Sequence, residues 1–535
     1  MGGRRLGRVL DPVLKRLAMR TIMAVLLLAS TSGCAWLFHK PRPDLDLPPA
    51  ERPWRVRCEW VLPPSAEPGA APGPRGAGWT WASDASSRRL VLDGRVEDGF
   101  FSVTGLRAAS DEDDRDVVAM PATVRAVSDA CAETLARQKP GETLRVHSVT
   151  GSRDGEGIAV PLVFPDDPAL SRPVSRMVVF GDSLSDTGNL KQRLMVFPSS
   201  PYWLGRFANG PNWADYLAER TGVSIHNHAF GGAVAVEHED VPAADIIASI
   251  QEGAQVLLTG SIDRYVQDYV ERDLTYGVVQ HPREIVHVIW GGANDYISKE
   301  PFTGEIGTLL DDPQGEAGYV RIVDEAVAAI SGQVRRLYAA GARQFVVVNL
   351  PDLGRTPIVL QNTSYVPFVR PERDDTRRLV LARKLGDLTM YHNNRLRLVI
   401  SRLSADLPCA TIIPIDAAQI VDRMLTGQAP DGSRKRFDYG FAVDGMEDEL
   451  RDGRRRVRQQ KRCYSGGYLG TSDPAKVCAQ ARNAFFWDIV HPTSYTHCWV
   501  AFFVQRELAR AGLLSAEPSA EEHRAYCTRQ AELVY

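Results

Sequence analysis

Residues 180–189 read Phe-Gly-Asp-Ser-Leu-Ser-Asp-Thr-Gly-Asn and continue directly from the short apolar run Arg176-Met-Val-Val-Phe180. A serine at the carboxyl end of a strand, before small and polar residues able to start a helix, sits where backbone N–H groups converge. That place suits a nucleophile whose oxyanion needs donors. Three further clusters follow in order. Asn227-His-Ala-Phe-Gly-Gly-Ala233 comes after the apolar segment Val223–His226, and Trp290-Gly-Gly-Ala-Asn-Asp295 after Val286–Ile289; Trp487-Asp-Ile-Val-His-Pro492 lies near the C-terminus. A serine hydroxyl is weak until a base accepts its proton, and His491 is the candidate base for Ser183. Asp488 is spaced to reach the far imidazole nitrogen and hold its tautomer. Seen alone, Asp-x-x-His-Pro is commoner as a surface turn, Gly231-Gly232 as a tight turn and Asn294 as a turn cap. Their order behind one serine favours a shared site. Asp182, Asp186 and Asn189 are expected to fix the serine loop by hydrogen bonding rather than to react.

These residues need a scaffold, and the pattern from Arg176 onward supplies one. Apolar strands alternate with helices, which indicates a parallel sheet. Two more strands read at Gln344–Leu350 and Thr411–Pro414. Val323, Val327, Ile330, Val334 and Leu337 recur at helical spacing before a stop at Gly341. A second helical pattern runs from Asp374 to Leu403, and a third begins after Thr493 or Ser494 and stops near Gly512. Five strands with interleaved helices predict an α/β fold, a flavodoxin-like α/β/α sandwich with a five-stranded parallel sheet over residues 171–535. Sites in such sheets form at the carboxyl ends of the strands, where every motif above falls or from which it follows. Residues 54–170 differ, with short strand-like pieces at Trp54–Val61, Trp79–Ala82, Arg89–Leu92 and Phe100–Val103 between Pro/Gly-rich turns. They predict a small β-rich domain whose Trp54, Trp60, Trp79 and Trp81 either fill a thin core or present a binding face.

Together the motifs resemble the GDSL, or SGNH, hydrolases, in particular the secreted branch of bacterial thermolabile haemolysins (lecithin-dependent phospholipases) and glycerophospholipid:cholesterol acyltransferases. The resemblance runs from about Arg55 to the end, because Val56-Arg-Cys58, Trp79-x-Trp81 and the segment Cys131-Ala-Glu-Thr-Leu135 also match that branch. It implies an oxyanion hole made by the Ser183 N–H, the Gly232 N–H and the Asn294 amide, with Gly231 the near alternative to Gly232. It also implies disulfides Cys58–Cys131, within a disulfide-stapled N-terminal domain, and Cys463–Cys478, before the histidine segment. Cys498 with Cys527 is one pairing open to the remaining cysteines, which would leave Cys409 free. The implied partner is a phospholipid membrane or lipid substrate.

The N-terminus reads as an export signal. A basic stretch (Arg4, Arg5, Arg8, Lys15, Arg16, Arg20) precedes the apolar run Ile22–Ala29 and then Ser30-Thr-Ser-Gly-Cys34. That run is too short to span a bilayer. Its ending resembles a lipobox, making Cys34 the lipidation candidate after a signal peptide of residues 1–33, although Thr31 stands where an aliphatic residue is usual. The alternative is a plain signal peptide with an incidental cysteine. Either way the protein is expected outside the cytoplasm, secreted or as an outer-membrane lipoprotein, with the Pro-rich residues 34–53 as a tether. Export permits disulfides. Formal net charge is −3, and loss of the basic leader makes the mature chain more acidic, which argues against nucleic-acid binding.

No cysteine pair has zinc-site spacing with a histidine, so no metal is expected, and nothing suggests a cofactor. No Gly-x-Ser-x-Gly elbow marks an α/β-hydrolase. An insertion over residues 426–483 contains the basic run Arg451–Arg462, read as a solvated loop, an attractor of anionic head groups, or a cleavage site for an activating protease. The residues Phe197, Tyr202, Trp203, Phe207 and Trp213 are candidates to line an acyl groove, Trp213 more naturally packing a helix. The expected function is an exported serine ester hydrolase that releases fatty acid from glycerophospholipids or lysophospholipids through an acyl-enzyme, or transfers the acyl group to a sterol. The rivals are a short-chain ester or carbohydrate deacetylase on the same machinery, and a non-catalytic surface adhesion lipoprotein.

Overall fold

The computed structural model describes residues 52–63, 76–110, 116–153, 159–167, 173–194, 198–236, 260–274, 277–297, 315–360, 375–441, 447–452, 455–515 and 517–534. The expected signal peptide, Cys34, nearly all of the expected tether and Phe197 lie outside the described residues. Residues 54–152 and 158–535 form one compact unit containing two principal sheets.

The first sheet has seven strands: β1 (Trp54–Leu62), β2 (Gly76–Trp81), β3 (Arg89–Glu97), β4 (Phe100–Ala109), β5 (Val117–Met120), β6 (Arg145–Ser152) and β7 (Ala159–Val163). Its order is β2-β1-β3-β4-β7-β6, and β6 pairs back onto β1, so five strands close into a ring. Closure removes exposed edges. Val56, Leu92, Phe101, Val103 and Leu162 fill the interior. A helix, Val124–Gln138, covers this core through Val127, Ala130, Cys131 and Leu135, with Thr123 capping it by accepting the Ala126 N–H. The disulfide Cys58–Cys131 ties β1 to that helix. Closing so long a loop contributes about 4 kcal/mol in the chain-entropy view. The reading of this region as strands and turns missed the helix, although its buried residues keep helical spacing. The tryptophans divide between the two readings: Trp54 packs on Phe101 at 5.0 Å, whereas Trp79 is 49% exposed, edge-on to Trp81.

Asp98-Gly99 joins β3 to β4 with φ of 55° and 85°, the two-residue turn that matches strand twist. Its tip reaches the second sheet's flank, where the Asp98 carboxylate accepts the Gln280 and His281 N–H groups.

The second sheet is entirely parallel: β8 (Arg176–Gly181), β9 (Ser224–Asn227), β10 (Ile285–Trp290), β11 (Gln344–Val348) and β12 (Thr411–Ile415), in the order β12-β11-β10-β8-β9. Continuous apolar strands are buried on both faces when helices cover both. Val178, Phe180, Ile289, Phe345 and Val347 face one core, packed by the helices Ile262–Asp268, Gly315–Ala339 and Asp375–Asp406. Met177, Val179, Val288, Val346 and Val348 alternate into the other, under Trp213–Thr221, Ala417–Thr426 and Ser494–Arg510. Each strand lies within two residues of its expected bounds.

Charge inside this fold makes a prediction. Burial lowers the pKa of His287 and His392 to about 4 and of His497 and His523 to about 3. These depressed values stabilise the fold above the unfolded value near 6.5, and that contribution is lost as pH falls toward 4. Burial raises Asp182 and Asp186 to about 6, which works oppositely, stabilising most at low pH. With His147 and His226, also lowered to about 4, the depressed histidines outnumber Asp182, Asp186 and Asp273, the carboxyls raised to about 6, so calorimetry should show Tm falling between pH 6.5 and 4. A rising Tm over that window would contradict this balance.

Candidate active site

Ser183 follows β8 in a tight turn in which Asp182 O accepts the Ser185 and Asp186 N–H groups, each at 3.0 Å. Asp182 Oδ1 accepts the Leu184 N–H at 3.0 Å. The Asp186 carboxylate takes the N–H groups of Gly188 (2.7 Å), Asn189 (2.6 Å), Leu190 (3.2 Å) and Gly231 (2.8 Å). One side chain thereby joins the serine loop to the loop after β9. Asn189 adds bonds to Asn227 O and Ala229 O, and the Asn227 amide donates to Ser185 O at 2.7 Å. The scaffolding expected of Asp182, Asp186 and Asn189 is what the structure shows; the part played by Asn227 escaped the sequence reading.

His491 Nε2 lies 2.8 Å from Ser183 Oγ, and His491 Nδ1 lies 2.7 Å from Asp488 Oδ2. Asp488 Oδ1 accepts the Val490 N–H at 2.9 Å and the His491 N–H at 2.8 Å. Burial alone would raise the Asp488 pKa, but the adjoining His491 and the converging donors hold it below the usual carboxylate value. An ionised Asp488 requires the proton on His491 Nδ1, which turns the Nε2 lone pair toward the serine hydroxyl. This arrangement can deprotonate Ser183 as it attacks a carbonyl and return the proton to a leaving alcohol.

The Gly231 N–H is committed to Asp186, whereas among the described residues no acceptor takes the N–H of Gly232, whose φ is +85°. That difference favours Gly232 over Gly231 as the donor facing the serine. The Asn294 amide donates to Ala233 O at 2.9 Å, which fixes its orientation beside the same loop, and Asp295 takes the Ala235 and Val236 N–H groups.

Tyr202 has a different place from the acyl groove considered for it. It is 2% exposed and donates its hydroxyl to Asp488 Oδ2 at 2.6 Å. Around it stand Tyr464, Trp487 and Tyr468, so the loop closed by Cys463–Cys478 is built into the wall behind Asp488. The backbone agrees: Cys463 donates to Phe486 O, Ser199 to Tyr468 O, and Trp487 to His491 O. No spacing signal could have paired Tyr202 with a residue so distant in sequence. Phe207 lies against the His491 ring at 4.9 Å. Trp213 is buried at the start of its helix, donating to Ser185 Oγ, as a packing residue would. Tyr202→Phe removes one of four donors to a buried charge, and such bonds contribute about 1.5–3 kcal/mol. We expect about tenfold lower kcat with KM nearly unchanged; steady-state kinetics showing a shift in KM alone would assign Tyr202 to substrate binding instead.

The other cysteines pair as Cys498–Cys527, and Cys409 is free and exposed. Part of the basic run is an antiparallel hairpin, β13 (Glu447–Asp452) with β14 (Arg455–Gln460), rather than a loop. Its register sets Glu449 opposite Arg458 and Asp452 opposite Arg455, while Arg451 is opposite Arg456. Among the described residues no helix is long and apolar enough to cross a membrane.

A sequence model of the family described as GDSL-like Lipase/Acylhydrolase matches residues 177–502, more than half of the chain. The chain is 36% identical over 191 residues to a phosphatidylcholine-sterol acyltransferase of Aeromonas hydrophila, covering 35% of this chain and 48% of that protein. It is 26% identical to a thermolabile hemolysin of Vibrio parahaemolyticus, over 61% of this chain and 62% of that one. With a GDSL esterase/lipase of Arabidopsis thaliana the identity is 24%, over 64% of this chain and 89% of the relative. The chain thus spans about half to three fifths of the two bacterial relatives.

Proposed function

Because the chain belongs to the GDSL-like lipase/acylhydrolase family, we propose that Ser183, His491 and Asp488 make it a serine hydrolase of glycerophospholipid or lysophospholipid esters. The observation that carries this reading is the unbroken chain from Ser183 Oγ through His491 to Asp488, at 2.8 and 2.7 Å. In the reaction Ser183 Oγ attacks the ester carbonyl while His491 Nε2 takes its proton. The Ser183 and Gly232 N–H groups and the Asn294 amide stabilise the oxyanion. His491 then protonates the departing lysophospholipid or glycerol oxygen, leaving an acyl group on Ser183. Water, activated by His491, releases a fatty acid; a sterol hydroxyl in the same position would give a sterol ester. The lipid preference rests on the bacterial relatives, whose names specify phosphatidylcholine-sterol acyl transfer and haemolysis.

The flavodoxin-like reading of the sandwich is supported by the strand order, in which the first strand lies between the second and third. Three disulfides support export, since such bonds persist in oxidising compartments. We extend the proposal to lipidation at Cys34 and attachment to the outer membrane, on the lipobox-like sequence alone.

The test is incubation of the protein, beside Ser183→Ala, with phosphatidylcholine liposomes with and without cholesterol, products being resolved by mass spectrometry. Ser183-dependent lysophospholipid and fatty acid are expected, and cholesteryl ester would add acyl transfer. Turnover of acetyl esters with no action on liposomes would overturn the lipid reading in favour of a short-chain or carbohydrate deacetylase.

A further inference from the structure

Three donors of the kind that hold transition metals meet at the carboxyl end of β9, and the proposed reaction uses none of them. His226 and His228 are two apart along an extended segment, so their rings project to one side. Asp273 ends the π-helical turn Tyr269–Asp273 and faces them. His228 Nε2 lies 3.3 Å from His226 Nδ1 and 3.3 Å from Asp273 Oδ2. All three donor atoms lie within 4.8 Å of one another.

One proton on His228 Nε2 satisfies only one of its two contacts at a time. His228 Nε2 makes both contacts and carries at most one hydrogen. If protonated, it serves Asp273 or His226 but not both well. If bare, it can accept from His226 Nδ1–H but then sets its lone pair against a carboxylate oxygen. A cation serves all three lone pairs at once. Tetrahedral zinc with ligands at about 2.0–2.1 Å separates neighbouring donors by about 3.3 Å, which is the distance of His228 Nε2 from each of the other two donors.

The surroundings fit the same group. A Cβ at Gly99, in the β3–β4 turn, would lie 2.2 Å from His226 Nδ1, so only glycine fits where that turn closes on the ring. The His228 and Asp273 side chains are 16% and 30% exposed, which gives an ion a way in and water a coordination position.

We infer that His226, His228 and Asp273 form a site for a zinc-class divalent cation, with solvent as a further ligand, joining the end of β9 to the π-helical turn. Imidazole donors favour zinc, cobalt or nickel over calcium or magnesium. The role is positional. Asn227, between the two histidines, holds Ser185 O, and Gly232 lies four residues beyond His228. The absence of a metal expected from cysteine spacing overlooked this His-x-His pair, whose third member is distant in sequence.

The test uses the protein without a polyhistidine tag, alkylated at Cys409, stripped by chelator and desalted. Isothermal titration should give about one Zn²⁺ per chain at micromolar or tighter affinity, with no comparable Mg²⁺ or Ca²⁺ binding. Co²⁺ should produce visible absorption of a four- or five-coordinate site in the unmutated protein. His228→Gln should weaken Zn²⁺ binding at least 100-fold and Asp273→Asn at least tenfold, and the zinc-induced rise in Tm should be lost in both. Should His228→Gln fail to fold, the partly exposed Asp273→Asn and the Co²⁺ spectrum carry the comparison. Zn²⁺ binding only at millimolar concentration, or unchanged in the variants, would overturn the site. Ester hydrolysis is not the readout, so this outcome is separate from that of the proposed activity.

Discussion

Ser183→Ala will lower kcat on a phospholipid or short ester by about 10⁴–10⁶-fold, and His491→Ala by a similar factor. The size follows from the geometry, because Ser183 Oγ has one base within hydrogen-bond reach and that base is fixed by Asp488. The two changes will not add. Once the serine is gone, the histidine has no nucleophile to activate, so the double variant should be no slower than either single one. What remains should reflect oxyanion stabilisation and binding alone. Steady-state and single-turnover kinetics on the three variants check this. A Ser183→Ala protein retaining more than about a hundredth of activity would remove Ser183 as nucleophile.

Asn294→Ala should lower kcat by about 10²–10³-fold and leave KM nearly unchanged. The amide is held by its bond to Ala233 O at 2.9 Å, on the loop that also carries Gly232. A donor fixed in advance stabilises charge that appears only in the tetrahedral intermediate, so its loss affects the transition state more than the bound ester. Asn294→Asp should be at least as slow, since a carboxylate would face the oxyanion with like charge. An effect confined to KM would place Asn294 in substrate binding, and no effect would reduce the oxyanion hole to backbone donors.

Much of this site is legible in the sequence itself. Ser183, Gly232 and Asn294 sit in segments whose order and places after strands are themselves the signal, because a parallel sheet gathers strand ends at one edge, and Asp488 and His491 follow in a later loop. The strands were legible because residues buried on both faces are apolar without interruption, as at Met177–Phe180 and Phe345–Val348. Contacts between distant segments were not. Tyr202 reads as one more aromatic near a serine motif, and only folding brings its hydroxyl to Asp488. The helix Val124–Gln138 was hidden by polar residues on its outer face, and Asp273 carries no local sign that two histidines lie opposite. The hairpin strands Glu447–Asp452 and Arg455–Gln460 are almost wholly polar, so no apolar alternation marks them as strands.

The most direct measurement is of the acyl-enzyme itself. The protein would be mixed rapidly with phosphatidylcholine micelles, quenched in acid within milliseconds, digested, and its peptides weighed by mass spectrometry. A fatty-acyl mass on the peptide containing Ser183, appearing before free fatty acid accumulates and absent from Ser183→Ala, is the predicted result. Release of fatty acid with no acyl group on Ser183, or with the group on another residue, would contradict it.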